Sequence, residues 1–330
     1  MSNTAAGGRA ETGDPGTMLA IRQRVLGGPD VLEPTTMPRP EPAATEVLVR
    51  VGAAGVNPVD WKTRAAGGYL GEPPFTVGWD VAGAVEAVGY GVTRFAVGDR
   101  VFGMPRFPRE AAGYAEYVTA PSRQLARIPD RLSDVQAAAL PLAALTAWQA
   151  LVETARIGPG ERVLIHAGAG GVGHLAVQIA KSRGAYVIAT ARAANHAFLA
   201  ELGVDEAIDY TQRRVADVLR DVDVVLDLVG GDTGRSSLPV LRDGGLLITV
   251  PSGGAVDPLR AAAGDRVRIT GILVEPDRAG MEAIAGLIER GELRVHVAKT
   301  FPLEQAARAH ELGESGRTGG GKLVLTVAKR

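Results

Sequence analysis

Arg162-Val-Leu-Ile-His-Ala-Gly-Ala-Gly-Gly-Val-Gly-His-Leu-Ala-Val-Gln-Ile-Ala-Lys181 is the stretch on which the fold turns. Arg162–His166 reads as a short buried strand and His174–Lys181 as a helix. Between them Gly168, Gly170 and Gly173 satisfy G-x-G-x-x-G. In a chain with 43 glycines such a match means little by itself. The strand before it and the helix after it give it meaning. The expected tasks are a tight turn at Gly168, close approach of backbone to a pyrophosphate at Gly170, and close helix-to-strand packing at Gly173. The helix N-terminus adds N–H groups and partial positive charge, so the turn Ala167–Gly173, with Gly171 and Val172, is expected to hold the phosphates of a dinucleotide.

Working outward from the turn, strand and helix signals alternate: Ala185–Thr190, Asn195–Leu202, Glu206–Asp209, Thr211–Leu219 and Val222–Leu228, then strands at Leu246–Val250 and Val267–Val274. Val/Ile/Leu-rich strands in that rhythm predict an α/β fold, a Rossmann doubly wound parallel sheet of about six strands. Upstream, from Met18 to about Ala126, short β segments such as Val47–Val51, Val81–Val88 and Arg100–Phe102 alternate with Gly and Pro, which predicts an antiparallel, barrel-like domain. Val135–Val152 is read as a buried helix, its Pro141, Gln136 and Gln149 making it a poor membrane span. After Glu275 a helix (Asp277–Arg290), a strand (Leu293–Thr300), a helix (Leu303–Leu312) and a closing strand (Lys322–Val327) are expected to return to the first domain. The expected division is 18–135 with 276–330 as the catalytic domain, 136–275 as the cofactor domain, and 1–17 as a loose tail without the marks of a secretory signal.

Composition bounds the function. The 330 residues are 46% hydrophobic and 22% charged, with a net charge of -1, so no overall field draws in nucleic acid or an anionic membrane. The absence of cysteine excludes disulfides, thiolate zinc sites, iron–sulfur clusters and cysteine nucleophiles, and fits a cytoplasmic location. At the end of the second cofactor-domain strand an NAD enzyme usually carries an acid against the ribose 2′-hydroxyl. Here the run is Ala189-Thr-Ala-Arg-Ala-Ala-Asn195, and the guanidinium of Arg192 suits a 2′-phosphate, so NADPH is the expected cofactor.

Four stretches resemble the medium-chain dehydrogenase/reductase superfamily in its zinc-free quinone oxidoreductase and enone reductase branch. They are Ala53-Ala-Gly-Val-Asn-Pro-Val-Asp60, Gly78-Trp-Asp-Val-Ala-Gly83, Leu140-Pro-Leu-Ala-Ala-Leu-Thr-Ala-Trp148 and the turn at Ala167–Gly173. The resemblance runs from Met18 to Arg330 and implies that the first domain is GroES-like. Zinc-dependent members carry a metal-binding Cys where this chain has Asn57, and Gly-His-Glu where it has Gly78-Trp79-Asp80. Catalytic zinc needs about three protein ligands, so no metal is expected. The resemblance also implies that Thr146, opening the domain-linking helix, sits near the nicotinamide, with Tyr210 beside the 2′-phosphate. Gly230 and Gly231 would let backbone pass close to the cofactor, and Ser252 would meet the nicotinamide ribose or carboxamide. It further implies a homodimer.

Without a metal Lewis acid, reduction of a simple ketone is hard to arrange, whereas a quinone or α,β-unsaturated carbonyl spreads the developing charge so that hydrogen-bond donors suffice. Candidate catalytic donors are Asn57, Tyr69 and Tyr114, Asn57 first, with Asp60 pinning its loop; the competing readings are an amide capping the Asn-Pro turn and two tyrosines that pack. Gly316-Arg-Thr-Gly-Gly-Gly-Lys322 resembles a P-loop only in passing, because Leu323 stands where Ser or Thr must meet magnesium and a strand follows. Lys322 is left as a point charge toward cofactor or substrate. The five histidines show no metal-ligand spacing and read as core or surface residues. The leading reading is NADPH-dependent reduction of a small, apolar quinone or enone. An enoyl reductase acting on a larger or carrier-bound intermediate, and an NADPH-binding sensor or structural protein with little turnover, are the alternatives.

Overall fold

The computed structural model describes residues 16–250 and 256–328. Seven strands precede the cofactor domain: β1 (Thr17–Arg22), β2 (Glu33–Pro38), β3 (Glu46–Val56), β4 (Val81–Val88), β5 (Arg100–Gly103), β6 (Tyr117–Pro121) and β7 (Leu125–Arg127). β1 already begins at Thr17, inside the stretch expected to be tail; residues 1–15 of that stretch lie outside the described residues. Then come β8 (Arg162–Ile165), β9 (Tyr186–Ala191), β10 (Glu206–Asp209), β11 (Val222–Asp227), β12 (Leu241–Thr249) and β13 (Arg268–Gly271). The last two strands are β14 (Val297–Pro302) and β15 (Lys322–Thr326).

Strands β8 to β13 form one parallel sheet in the order β10-β9-β8-β11-β12-β13. The order reverses between β8 and β11, and a doubly wound sheet binds its ligand in the crevice at that point. Successive side chains of a strand face opposite ways, so Val163 and Ile165 of β8 join one apolar cluster and Leu164 between them joins another. Both faces are covered by helices, which is why these strands read as continuous apolar runs.

The second sheet has the order β14-β15-β3-β4-β5-β7, with β6 pairing β3. It is antiparallel except between β14 and β15. β15 lies against the end of β3, Leu323 opposite Val56, so the C-terminal strands return to the first sheet as expected. That pairing brings residue 322 beside residues 56 and 57.

Some elements differ from the sequence reading. The single helix expected over Val135–Val152 is two helices, Asp134–Ala138 and Pro141–Trp148, followed by a π-helical stretch, Gln149–Thr154. Pro141 opens the second helix at its first position, where its missing N–H costs nothing. The helix expected at Thr211–Leu219 shrinks to one turn, Val215–Val218. The strand expected at Leu293–Thr300 begins at Val297. Among the described residues no helix is long and apolar enough to cross a membrane.

Candidate active site

The glycine turn lies at the carboxyl end of β8, and the helix after it spans Gly173–Ser182 with no side chain capping its start. A Cβ on Gly173 would sit 2.2 Å from the Ala167 carbonyl oxygen, and one on Gly168 2.7 Å from the Ala189 Cβ of β9. These glycines serve close packing. The left-handed residue of the turn is Ala167, at φ 51°. Gly171 packs against Lys322, whose Cδ would be 3.1 Å from an added Cβ.

A cleft of about 270 Å³ runs from this turn to the first sheet, lined among others by Asn57, Trp61, Leu142, Val172, Thr318 and Lys322. Asn57 stands just past β3 as the N-cap of the helix Pro58–Ala66, in a capping box with Asp60. Its backbone N–H donates to Asp60 Oδ2 at 2.6 Å. Its side-chain Nδ2 donates to Asp80 Oδ2 at 2.8 Å, and its Oδ1 accepts from Lys322 Nζ. Lys322 Nζ also donates to the Val56 carbonyl at 3.1 Å and lies 3.8 Å from Asp80 Oδ2. Asp80 Oδ1 accepts from the Leu142 N–H at 2.8 Å, which ties the group to the helix Pro141–Trp148. Burial pushes the Asp80 carboxyl up and the Lys322 ammonium down, and their mutual attraction opposes both shifts.

Next to this cluster, Asp60 Oδ2 accepts from the Tyr114 hydroxyl at 3.0 Å. Burial pushes Asp60 up to about 7, against the pull of the Asn57 N–H. The Tyr114 oxygen is 3.1 Å from His310 Nε2, and Arg64 lies 3.3 Å from His310 Nδ1. An arginine only donates, so Nδ1 accepts and Nε2 carries the hydrogen toward Tyr114. Arg64 also pairs with Glu314 at 2.7 Å.

Tyr114 is therefore a fully buried core residue with its hydroxyl committed to Asp60 and His310, and not a loop residue facing a substrate as the sequence suggested. Tyr69 is 53% exposed, stacks edge-on with Phe107 at 5.6 Å, and is not among the residues lining the cleft. Thr146 lies inside the helix instead of opening it, and its hydroxyl donates to the Leu142 carbonyl at 2.7 Å. Trp79, at the second metal-binding position of the resemblance, donates its indole N–H to the Arg109 carbonyl at 2.7 Å. Among the described residues no group of three or more His, Cys, Asp or Glu side chains is placed to hold a metal ion.

A second cleft, about 390 Å³, lies on the cofactor domain and is lined among others by Thr190, Tyr210, Arg213, Arg214 and Thr233. Arg192 Nε donates to the Tyr210 hydroxyl at 3.1 Å, so these two expected residues meet. Arg213 and Arg214 fall within the helix expected over Thr211–Leu219, which gives the sequence no signal for them, and in the structure they precede its single turn. Gly230 and Gly231, both at positive φ, follow β11, and the Gly230 N–H donates to Asp227 Oδ1 at 2.9 Å. Ser252 lies outside the described residues.

Two family models match the chain, the alcohol dehydrogenase GroES-like domain over residues 43–130 and the zinc-binding dehydrogenase over 202–325. Quinone oxidoreductase of Mus musculus is 35% identical, covering 94% of this chain and 98% of its own. A 2-haloacrylate reductase of a Burkholderia species is 37% identical, covering 91% and 96%. The solved structure of the quinone oxidoreductase from Coxiella burnetii superposes with a TM-score of 0.89 at 38% identity, over 94% of this chain and all of that one. A mycobacterial protein solved in complex with NADPH gives 0.84 at 33% identity, over 94% and 99%. The chain is an oxidoreductase that belongs to the medium-chain dehydrogenase/reductase superfamily, in its quinone oxidoreductase branch.

Proposed function

We propose that the protein is an NADPH-dependent, zinc-independent reductase of a small, apolar quinone or α,β-unsaturated carbonyl. The observation that carries this reading is the cleft joining the glycine turn to Asn57, with the Lys322 ammonium hydrogen-bonded among the side chains at the metal-binding positions of the zinc-dependent relatives. An amide, an indole committed elsewhere and a carboxylate already facing a lysine do not make a zinc site, which takes imidazole, thiolate and carboxylate. The N–H groups of Gly171, Val172 and Gly173 would hold the pyrophosphate at an uncapped helix start, those of Gly168 and Gly170 being taken by the Thr190 and Ala167 carbonyls. Arg192, held by Tyr210, would pair with the 2′-phosphate, with Arg213 and Arg214 at the same cleft adding positive charge.

When bound, the dihydronicotinamide supplies a hydride to a conjugated carbon of the substrate. The protein orients the acceptor in the cleft, keeps water away with Trp61, Leu142 and Val172, and offers the Asn57 carboxamide as donor to the oxygen that gains charge. The proton that completes the product comes from solvent. The reading takes 18–135 with 276–330 as the catalytic unit and 136–275 as the cofactor unit, and includes a cytoplasmic homodimer. It agrees with the names of the relatives, one acting on quinones and one on a haloacrylate.

The test is NADPH oxidation followed at 340 nm against a panel of quinones, enones and acyl thioesters. Turnover with quinones or enones is expected. Activity confined to acyl thioesters would transfer the site to an enoyl reductase, and binding without any turnover would make it a sensor.

A further inference from the structure

We infer that Lys322 is a positioning residue of the reducing site, an internal cation that orients and polarises the Asn57 carboxamide so that its remaining N–H meets the substrate oxygen on which negative charge develops. This rests on the reading above, that the cleft reduces a conjugated carbonyl. The sequence leaves Lys322 as a point charge toward cofactor or substrate without a partner; in the structure it opens a strand whose next three residues, Leu323, Val324 and Leu325, are all core.

The argument begins with cost. A lysine only 3% exposed has given up the solvation of its ammonium, and a buried charge is tolerated only with acceptors around it. Three groups supply them: the Val56 carbonyl, Asn57 Oδ1 and, at 3.8 Å, Asp80 Oδ2. Nothing about β15 demands this, since a strand end next to Gly319, Gly320 and Gly321 could turn a lysine outward to water. The ammonium is instead placed between the cofactor turn, which its stem touches at Gly171, and the one amide that lines the cleft.

The chemistry of that amide is then fixed. An ammonium has only hydrogens to offer, so it selects the oxygen end of Asn57. The Asp80 carboxylate accepts from the nitrogen end. An amide gripped at both ends cannot flip, and it keeps one Nδ2–H that no described residue takes up. Positive charge on its oxygen makes that N–H a stronger donor. Donors held this way ahead of the reaction lower the barrier most where the developing charge is most localised. An enolate localises charge on oxygen more than a hydroquinone anion does, so loss of Lys322 must harm enone reduction more than quinone reduction. A lysine that merely held the strands together would harm both alike.

The test uses the full-length enzyme and three variants. Lys322→Met removes the charge while keeping the stem. Lys322→Met with Asp80→Asn also removes the carboxylate that would be left unpaired, so the fold survives even if the single change proves unstable. Lys322→Arg restores a cation. Relative to wild type, both variants lacking the ammonium are expected to lose about 10-fold or more in kcat on an enone. The loss on a benzoquinone should be several-fold smaller, with the KM for NADPH near its wild-type value and partial recovery in the arginine variant. Equal losses on the two substrates would overturn the inference, as would an unchanged kcat with a raised KM for NADPH, which would assign Lys322 to the cofactor. A wild-type enzyme inert toward both substrates would overturn the parent reading, and a defect seen only in the variants separates the two.

Discussion

His174 shows how a residue beside the turn acquires a pH dependence. Its Nδ1 lies 2.9 Å from the Gly170 carbonyl, and its Nε2 accepts the His296 N–H at 3.2 Å. Burial depresses its pKa to about 4. In the unfolded chain an imidazole titrates near 6.5. Above that pH both states are neutral and the full stability is present. Between about 6.5 and 4 the unfolded chain binds the proton and the native one does not, so stability falls as pH falls. One such group contributes about 1.4 kcal/mol per pH unit over that window. Urea unfolding of His174→Gln at pH 7.5, 6 and 5 should therefore show a shallower decline than wild type, and parallel declines would refute the assignment. From the sequence His174 reads only as a core or surface residue flanking the turn, and the structure buries it. The sequence could not show that Tyr114 is core, because a tyrosine among glycines looks like a loop residue until its partner, His310, is brought 3.1 Å away by a helix almost two hundred positions later.

The helices teach where local pattern suffices. The helix expected over Asp277–Arg290 is found at Arg278–Glu289, with Asp277 as its N-cap accepting from the N–H groups of Ala279 and Gly280. Replacing Asp277 by Ala should cost about 1 kcal/mol of unfolding free energy, and Asp277→Asn much less. Equal stability of all three proteins would show that the cap contributes nothing. The run Val135–Val152 was harder to read. Its residues are almost all apolar, so no periodicity marks the break that the chain makes between Ala138 and Pro141. The strand over Leu241–Thr249 is longer than the expected Leu246–Val250, since Arg242, Asp243 and Gly244 look like a loop, yet Leu241 pairs with Val222 and a bulge follows before Val224.

At the scale of the whole molecule, the parallel sheet and its ligand-binding end followed from the glycine turn and the alternation around it, and the return of the C-terminal strands followed from the sheet being complete. The site itself was only half legible. Asn57 and the turn carry recognisable patterns, whereas Lys322 is legible only as a point charge toward cofactor or substrate, with no sign of its partner. It reaches Asn57 only because β15 pairs with β3 across some 270 positions of sequence. Arg213 and Arg214 likewise gain meaning only from the cleft they share with Tyr210.

The central claim is that the N–H groups of Gly171, Val172 and Gly173 grip a pyrophosphate while Arg192 selects the additional phosphate. Titration calorimetry of the purified protein with NADPH and NADH tests it most directly. NADPH is expected to bind about 10-fold or more tightly than NADH, a charge-assisted contact being worth about 1.5–3 kcal/mol, and Arg192→Ala should bring the two affinities together. No heat of binding with either dinucleotide would contradict the account outright.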